Sequence, residues 1–194
     1  AVIFGAFTLY LIPGVSNTKY ANLTLISGFP PPLYYSIYQK SNECILNLNC
    51  SHDYEEGLEM AKAARKPMLL DFTGYACVNC RRMEENVWSD PEVYKIMKEK
   101  FIVVSLYVDD KKKLPIAKQF TYTTKEGVQK EIITVGNKWA TFETENFKNN
   151  AQPLYAILNT EEILLNHPVG YTPSITEYRD WLLCGLEAFQ KEKK

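Results

Sequence analysis

An excess of charge of either sign, a dense set of cysteines and an internal repeat are all missing from this 194-residue chain. Lys and Arg number 22 against 23 Asp and Glu, a net charge of -1, which removes any electrostatic case for nucleic acid or an anionic membrane surface as partner. Five cysteines are too few for a disulfide-dense mini-protein, and the two histidines, His52 and His167, stand alone in the sequence. With 46% hydrophobic and 23% charged residues, the chain has the means to bury a core and is not disordered. Its length fits one domain with room for an appendage. It begins on Ala1 rather than Met, so we read it as a fragment or a processed chain.

Long apolar runs are scarce too. The first, residues 1–12, carries no charge and ends at Pro13-Gly14. As a helix it would reach roughly 18 Å, short of the roughly 30 Å hydrocarbon core. No basic segment precedes it and no small-x-small cleavage site follows, so a signal peptide fits less well than the end of a truncated transmembrane helix. A buried strand or short core helix is the alternative. Residues 15–50 read as a connector, in which Pro30, Pro31 and Pro32 make a stiff extended stretch. The surrounding Phe29, Tyr34, Tyr35 and Tyr38 suit a membrane interface or packing on the following domain. Asn22-Leu-Thr24 and Asn49-Cys-Ser51 fit the glycosylation pattern, which is short enough to arise by chance.

From Asp53 onward, helix and strand signals alternate. Asp53 with Glu56 predicts a capping box, and Tyr54, Leu58 and Ala61 form one helical face. Met68-Leu-Leu-Asp-Phe72 after Pro67 predicts a buried central strand. Cys80, Met83, Val87 and Trp88 recur at helical spacing, and Asp90-Pro91 restarts a helix to about Lys100. Phe101–Val108 is the next strand. Residues 119–124 and 128–134 predict a hairpin around Lys125-Glu-Gly127, followed by a short helix near Trp139 and Phe142. Leu154–Leu158 and Ile163–Leu165 predict a second hairpin. The closing helix starts near Thr172-Pro173, with Ile175, Tyr178, Leu182, Leu186 and Phe189 on one face. This order predicts an α/β domain with a mixed sheet covered by helices.

Cys77-Val78-Asn79-Cys80 falls where a buried strand meets a helix. A helix N-terminus offers unpaired N–H groups and partial positive charge, which lower the pKa of a thiol placed there. The spacing also brings the second sulfur one turn on, close enough for a small disulfide ring. Cys77 at the turn would attack a partner's disulfide, and Cys80 would resolve the mixed disulfide. Arg81 and Arg82 are expected to point into solvent. Half of a zinc site has the same spacing, but a second ligand pair is missing, so redox chemistry is the favoured reading.

Asp71-Phe-Thr-Gly-Tyr-Ala-Cys77-Val-Asn-Cys80 resembles the thioredoxin superfamily. Extended through Arg81-Arg-Met-Glu-Glu-Asn-Val-Trp-Ser-Asp-Pro91, it is similar to the C-terminal periplasmic domain of the DsbD thiol:disulfide interchange family in its Bacteroidetes form. The resemblance implies a thioredoxin-like fold over 51–194, with 1–14 as the end of the last transmembrane helix and Ser27-Gly-Phe-Pro-Pro-Pro32 as the segment leaving the membrane. It implies that Asp71 is a buried carboxylate that exchanges a proton with Cys80, and that Glu84 is a second acidic group tuning the thiols. A solvated Glu84 is the alternative. Pro153 matches the superfamily's cis-proline, with Gln152 before it, and Gly170 matches the glycine ending the last strand. Tyr75, Ala76, Gln152 and Pro153 are then the substrate-binding positions.

Three features depart from the pattern. Ala76 stands where Trp usually precedes the first cysteine, Gln152 where a small or apolar residue is commoner, and the 119–134 hairpin is absent from a minimal thioredoxin. These bear on the choice of partner more than on the reaction. Cys44 and Cys50 are expected to form a structural disulfide, with a second redox pair as the alternative, and Cys184 to be a buried, inert thiol.

The expectation is therefore a protein-disulfide reductase domain needing no cofactor beyond the Cys77–Cys80 disulfide. Its partners would be a membrane electron-donor domain of the same protein and periplasmic thioredoxin-like or disulfide-bearing proteins. The setting would be the periplasmic side of a Gram-negative inner membrane, in electron transport such as serves cytochrome c biogenesis. A free-standing periplasmic reductase or isomerase is the nearest alternative, and a non-catalytic binding or metal module a more distant one.

Overall fold

The structure is a computed structural model that describes residues 2–15, 23, 26 and 44–192. The expectations placed on Asn22, Thr24, Phe29, Pro30–Pro32, Tyr34, Tyr35 and Tyr38 lie outside the described residues. Helix α1 (Val2–Val15) carries no charge, and its residues 2–9 are exposed. At about 1.5 Å per residue it is roughly 21 Å long. Among the described residues no helix is long and apolar enough to cross a membrane.

The main sheet begins with β1 (Cys50–Ser51), a two-residue strand that the sequence did not announce. Asp53 caps α2 (Tyr54–Ala64) by accepting from the N–H groups of Glu55 and Glu56. The expected reciprocal bond from Glu56 is not made. Ser51 intervenes, accepting from the Asp53 N–H and donating to the Glu56 carboxylate. The next strands, β2 (Met68–Thr73) and β3 (Ile102–Tyr107), are buried at every position. Between them run α3 (Val78–Met83), continued by a π turn over Glu84–Trp88, and α4 (Pro91–Lys100), which Asp90 caps ahead of Pro91 as expected.

A hairpin of β4 (Phe120–Thr123) and β5 (Gln129–Ile132) forms a separate two-stranded sheet, shorter than predicted. Gly127 supplies the left-handed φ of +83° that its turn requires. The predicted short helix is α5 (Val135–Phe147), a full 13 residues, because Thr134 and Asn137 cap it reciprocally. Gly136 in its first turn lies so close to the end of β3 that a Cβ would sit 2.6 Å from the Val108 carbonyl oxygen.

Strand β6 (Leu154–Leu158) completes the main sheet, ordered β1-β3-β2-β6. The first three strands are parallel and β6 runs antiparallel to β2, giving the expected mixed sheet with the β4–β5 hairpin as an insertion. The second predicted hairpin is irregular. Tyr155 pairs with Val169 and Leu158 with Leu164, so two extra residues bulge from the outer segment. The bulge is tied to α6 (Ile175–Glu192), since the Trp181 indole donates to the His167 carbonyl and Asn166 donates to the Trp181 carbonyl.

Alternation along the strands sorts the core into two layers. Met68, Leu70, Phe72, Val104 and Leu106 face Tyr54 and Ala61 of α2 and Trp139 of α5. Leu69, Val103, Tyr155 and Ile157 face Met83, Val87 and Trp88, Met97 of α4, and Tyr178 and Leu182 of α6. Both sheet faces are thus covered, which explains why β2 and β3 are buried at every position and mostly apolar. On the predicted face of α6, Ile175 is exposed, and Trp181 and Gly185 join the buried set.

Candidate active site

Alternation places Asp71 and Thr73 with Leu69 on the layer shared with α3. The chain leaves β2 through Gly74-Tyr75-Ala76, and this turn is held by a carboxylate at the end of β3. Asp109 Oδ1 accepts from the Tyr75 N–H at 2.8 Å and Oδ2 from the Ala76 N–H at 3.0 Å. Gly74 makes room for it, because a Cβ there would lie 2.9 Å from Asp109 Oδ2. The Tyr75 ring is stacked on Tyr107 with centroids 4.3 Å apart, and His52 meets the edge or face of the same Tyr107 ring at 5.5 Å.

Cys77 is the N-cap of α3, and its sulfur accepts from the Cys80 N–H at 3.1 Å. The two cysteines form a disulfide, with Cys77 half-buried and Cys80 only 1% exposed. One sulfur can therefore meet a partner while the other stays inside. Cys77 opens onto a cleft of about 330 Å³ lined also by Ala76, Asn79, Val108, Asp109 and Gln152. The Gln152–Pro153 peptide bond is cis, with Gln152 half-buried at the cleft and Pro153 buried behind it. The Pro153 carbonyl oxygen lies 3.5 Å from where a Cβ of Gly170 would sit.

Beneath α3, three charged side chains are withdrawn from water. Asp71 accepts from the Ser105 hydroxyl at 2.9 Å. Burial pushes its carboxyl up to about 6, against the pull of Ser105, Arg81 and His52. Burial likewise pushes Glu84 well above the usual carboxylate range, with Arg81 opposing and the Asp71 charge adding to the rise. Arg81, expected in solvent, is buried instead. It holds Glu84 at 2.7 Å and donates to the Thr73 hydroxyl at 3.2 Å, so its charge is paired inside the fold.

Residues 49–160 match the thioredoxin-like family over more than half of the chain. The chain belongs to the thioredoxin-like family. Among solved structures it is similar to the DsbH oxidoreductase, at 19% identity over 78% of this chain and 93% of that one, with a TM-score of 0.49. A thioredoxin from Thermus thermophilus is 19% identical, with coverage of 70% and 85% and a TM-score of 0.48. The reduced C-terminal domain of Neisseria meningitidis DsbD is 14% identical, with coverage of 66% and 90% and a TM-score of 0.43. No curated protein matches the sequence. The family match and the Cys77–Cys80 pair make the chain a thiol:disulfide oxidoreductase whose redox group is that disulfide.

Not every predicted residue comes together in this thioredoxin-like domain. Cys44 and Cys50 form a second disulfide, but Cys50 pairs with Val103 near the start of β3. The Cys77 turn lies at the Tyr107 end, about 13 Å along the strand. Cys184 is exposed rather than buried, because the inward face of α6 is set by Tyr178, Trp181, Leu182 and Gly185. Among the described residues, no three His, Cys, Asp or Glu side chains gather to hold a metal ion.

Sequence reasoning missed Ser105, Asp109 and Glu143. Glu143 on α5 is fully buried, and Gln152 Nε2 donates to its Oε2 at 2.8 Å. Burial raises its carboxyl to about 7, against the bond from Gln152. Its spacing from Gly136 and Trp139, seven and four residues back, was the available sign of an inward position. Ser105 and Asp109 carried no sign, since only the parallel pairing of β2 with β3 brings them to the site.

Proposed function

We propose that this domain relays electrons from a membrane donor to periplasmic proteins, as the C-terminal domain of a DsbD-type interchange protein. The observation that carries the reading is the half-exposed Cys77 at the N-terminus of α3, bonded to buried Cys80 on the layer that holds Asp71. The Asp71–Pro91 sequence block supports the narrower assignment, and the uncharged, exposed α1 supports attachment to a membrane.

The donor's dithiol reduces the Cys77–Cys80 disulfide and is itself oxidised. The Cys77 thiolate then attacks one sulfur of a partner's disulfide. That S–S bond breaks, a mixed disulfide forms, and the released partner thiolate takes a proton from water. Cys80 passes its proton to the Asp71 carboxylate and attacks the Cys77 sulfur. The Cys77–Cys80 bond closes, and the second partner thiolate leaves and is protonated. Two electrons have moved to the partner, and Asp71 releases its proton when the site is next reduced. Tyr75, Ala76 and Gln152 border the place the partner occupies, and the buried Glu84 tunes the thiols from below.

The test is the reduction potential of Cys77–Cys80 in defined thiol buffers, with free thiols trapped and weighed. A Cys77→Ser control separates this pair from Cys44–Cys50. A potential near or below about -200 mV supports a reductant fed by a donor, whereas one near about -120 mV belongs to an oxidant and overturns the relay. Cys80→Ser should in addition trap a partner on Cys77 as a stable mixed disulfide.

A further inference from the structure

Glu143 is fully buried on α5, and no step of the exchange at Cys77 and Cys80 uses it. Its Oε2 takes the bond from Gln152, while its Oε1, equally buried, has no partner among the described residues. An acceptor left dry in the interior is a standing cost to folding. An apolar side chain on the same helix face would avoid it, so packing does not account for the carboxylate.

The bond has a direction. A carboxylate only accepts, so ionised Glu143 must take the NH2 of the Gln152 amide and leave the amide oxygen for other use. That oxygen belongs to the residue that lines the cleft with Cys77 and Ala76 and precedes the cis bond to Pro153. It accepts no hydrogen bond among the described residues. We infer that Glu143 is a positioning residue that fixes the Gln152 amide oxygen as an acceptor at the rim of the cleft. The site thereby favours disulfide partners that present an N–H donor, from peptide or side-chain amide, beside the sulfur under attack.

The inference rests on the reading that Cys77 attacks a partner's disulfide, and two probes keep the two apart. Dithiodipyridine is a disulfide with no N–H group, whereas a short peptide closed by its own disulfide has several. Rates of the reduced protein with each are compared at about pH 8, above the value of about 7 to which burial raises Glu143. Glu143→Gln should slow the peptide about fivefold, the worth of one ordinary hydrogen bond, and leave dithiodipyridine unchanged. The new amide can donate or accept, so it no longer holds Gln152 one way round. Gln152→Leu should lower the peptide rate relative to the dithiodipyridine rate to a similar extent, without touching α5. Combining Glu143→Gln with Gln152→Glu should restore the peptide rate, since the carboxylate then at the rim keeps an acceptor there. Equal losses with both probes, or no loss with the peptide, overturn the inference. A wild-type protein whose Cys77 reacts with neither probe overturns the thiol assignment, and the inference falls with it.

Discussion

Arg81 reaches Glu84 across 2.7 Å where both side chains are almost entirely excluded from water. A buried pair of this kind adds little over apolar residues of the same size, but losing one member strands a charge. Arg81→Met should therefore cost about 3–5 kcal/mol of unfolding free energy, read from urea denaturation. Arg81→Met with Glu84→Leu should recover most of that loss. If the double variant is no more stable than the single one, the pair is not what holds these groups.

Asp71 ties stability to pH. Its folded value of about 6 lies above the roughly 3.9 of an unfolded aspartate, so the native state binds the proton more tightly. The stability this confers is complete below about pH 4 and is lost as pH rises through about 6. Asp71→Asn should flatten that limb and raise stability at neutral pH by about 3 kcal/mol. The same variant should slow disulfide closure about a hundredfold, because in the proposed exchange Asp71 is the proton acceptor for Cys80. A more stable yet slower protein is a combination that simple misfolding does not produce.

The turn before Cys77 depends on Asp109. Asp109→Ala removes the acceptor for the Tyr75 and Ala76 N–H groups, a loss of about 2 kcal/mol for two bonds to a partly solvated carboxylate. Amide exchange at Tyr75 and Ala76 should speed up, with β2 unchanged. Asp109→Asn keeps one acceptor oxygen and should show an intermediate effect.

Cys44–Cys50 offers a contrast between stability and activity. Its short loop predicts a loss of about 2 kcal/mol when both residues become serine, from chain entropy alone. Because it lies at the other end of β3 from Cys77, exchange rates with dithiodipyridine should not change. A parallel fall in rate would place this pair in the electron path.

The long periodic stretches and turn residues made the architecture legible: β2, β3, α4, the hairpin and the mixed sheet follow from apolar runs, Asp90-Pro91 and Lys125-Glu-Gly127. Cys77 and Cys80 were legible because the strand-to-helix junction is itself a sequence signal. Arg81 and Glu84 were not read together, because each charge looks solvated until its neighbour three residues away enters the interior with it. Cys184 was misplaced by its apolar neighbours Leu183 and Gly185. Helical geometry sets it roughly 200° from Leu182, on the outer face. Asp109 and Ser105 reach the site only through strand pairing, and no local pattern encodes that.

The bulge at Asn166–Pro168 has a consequence for the molecule in company. An open sheet invites another chain to extend it through the free N–H and C=O groups of its border. At one border of this sheet stands β1, two residues long. At the other, the outer segment falls out of step with β6 between Leu164 and Val169, bends toward α6, and includes Pro168, which has no N–H to give. Neither side offers a straight template of useful length. A thiol:disulfide oxidoreductase with one half-exposed sulfur thus leaves little of its main sheet open to being joined by other chains.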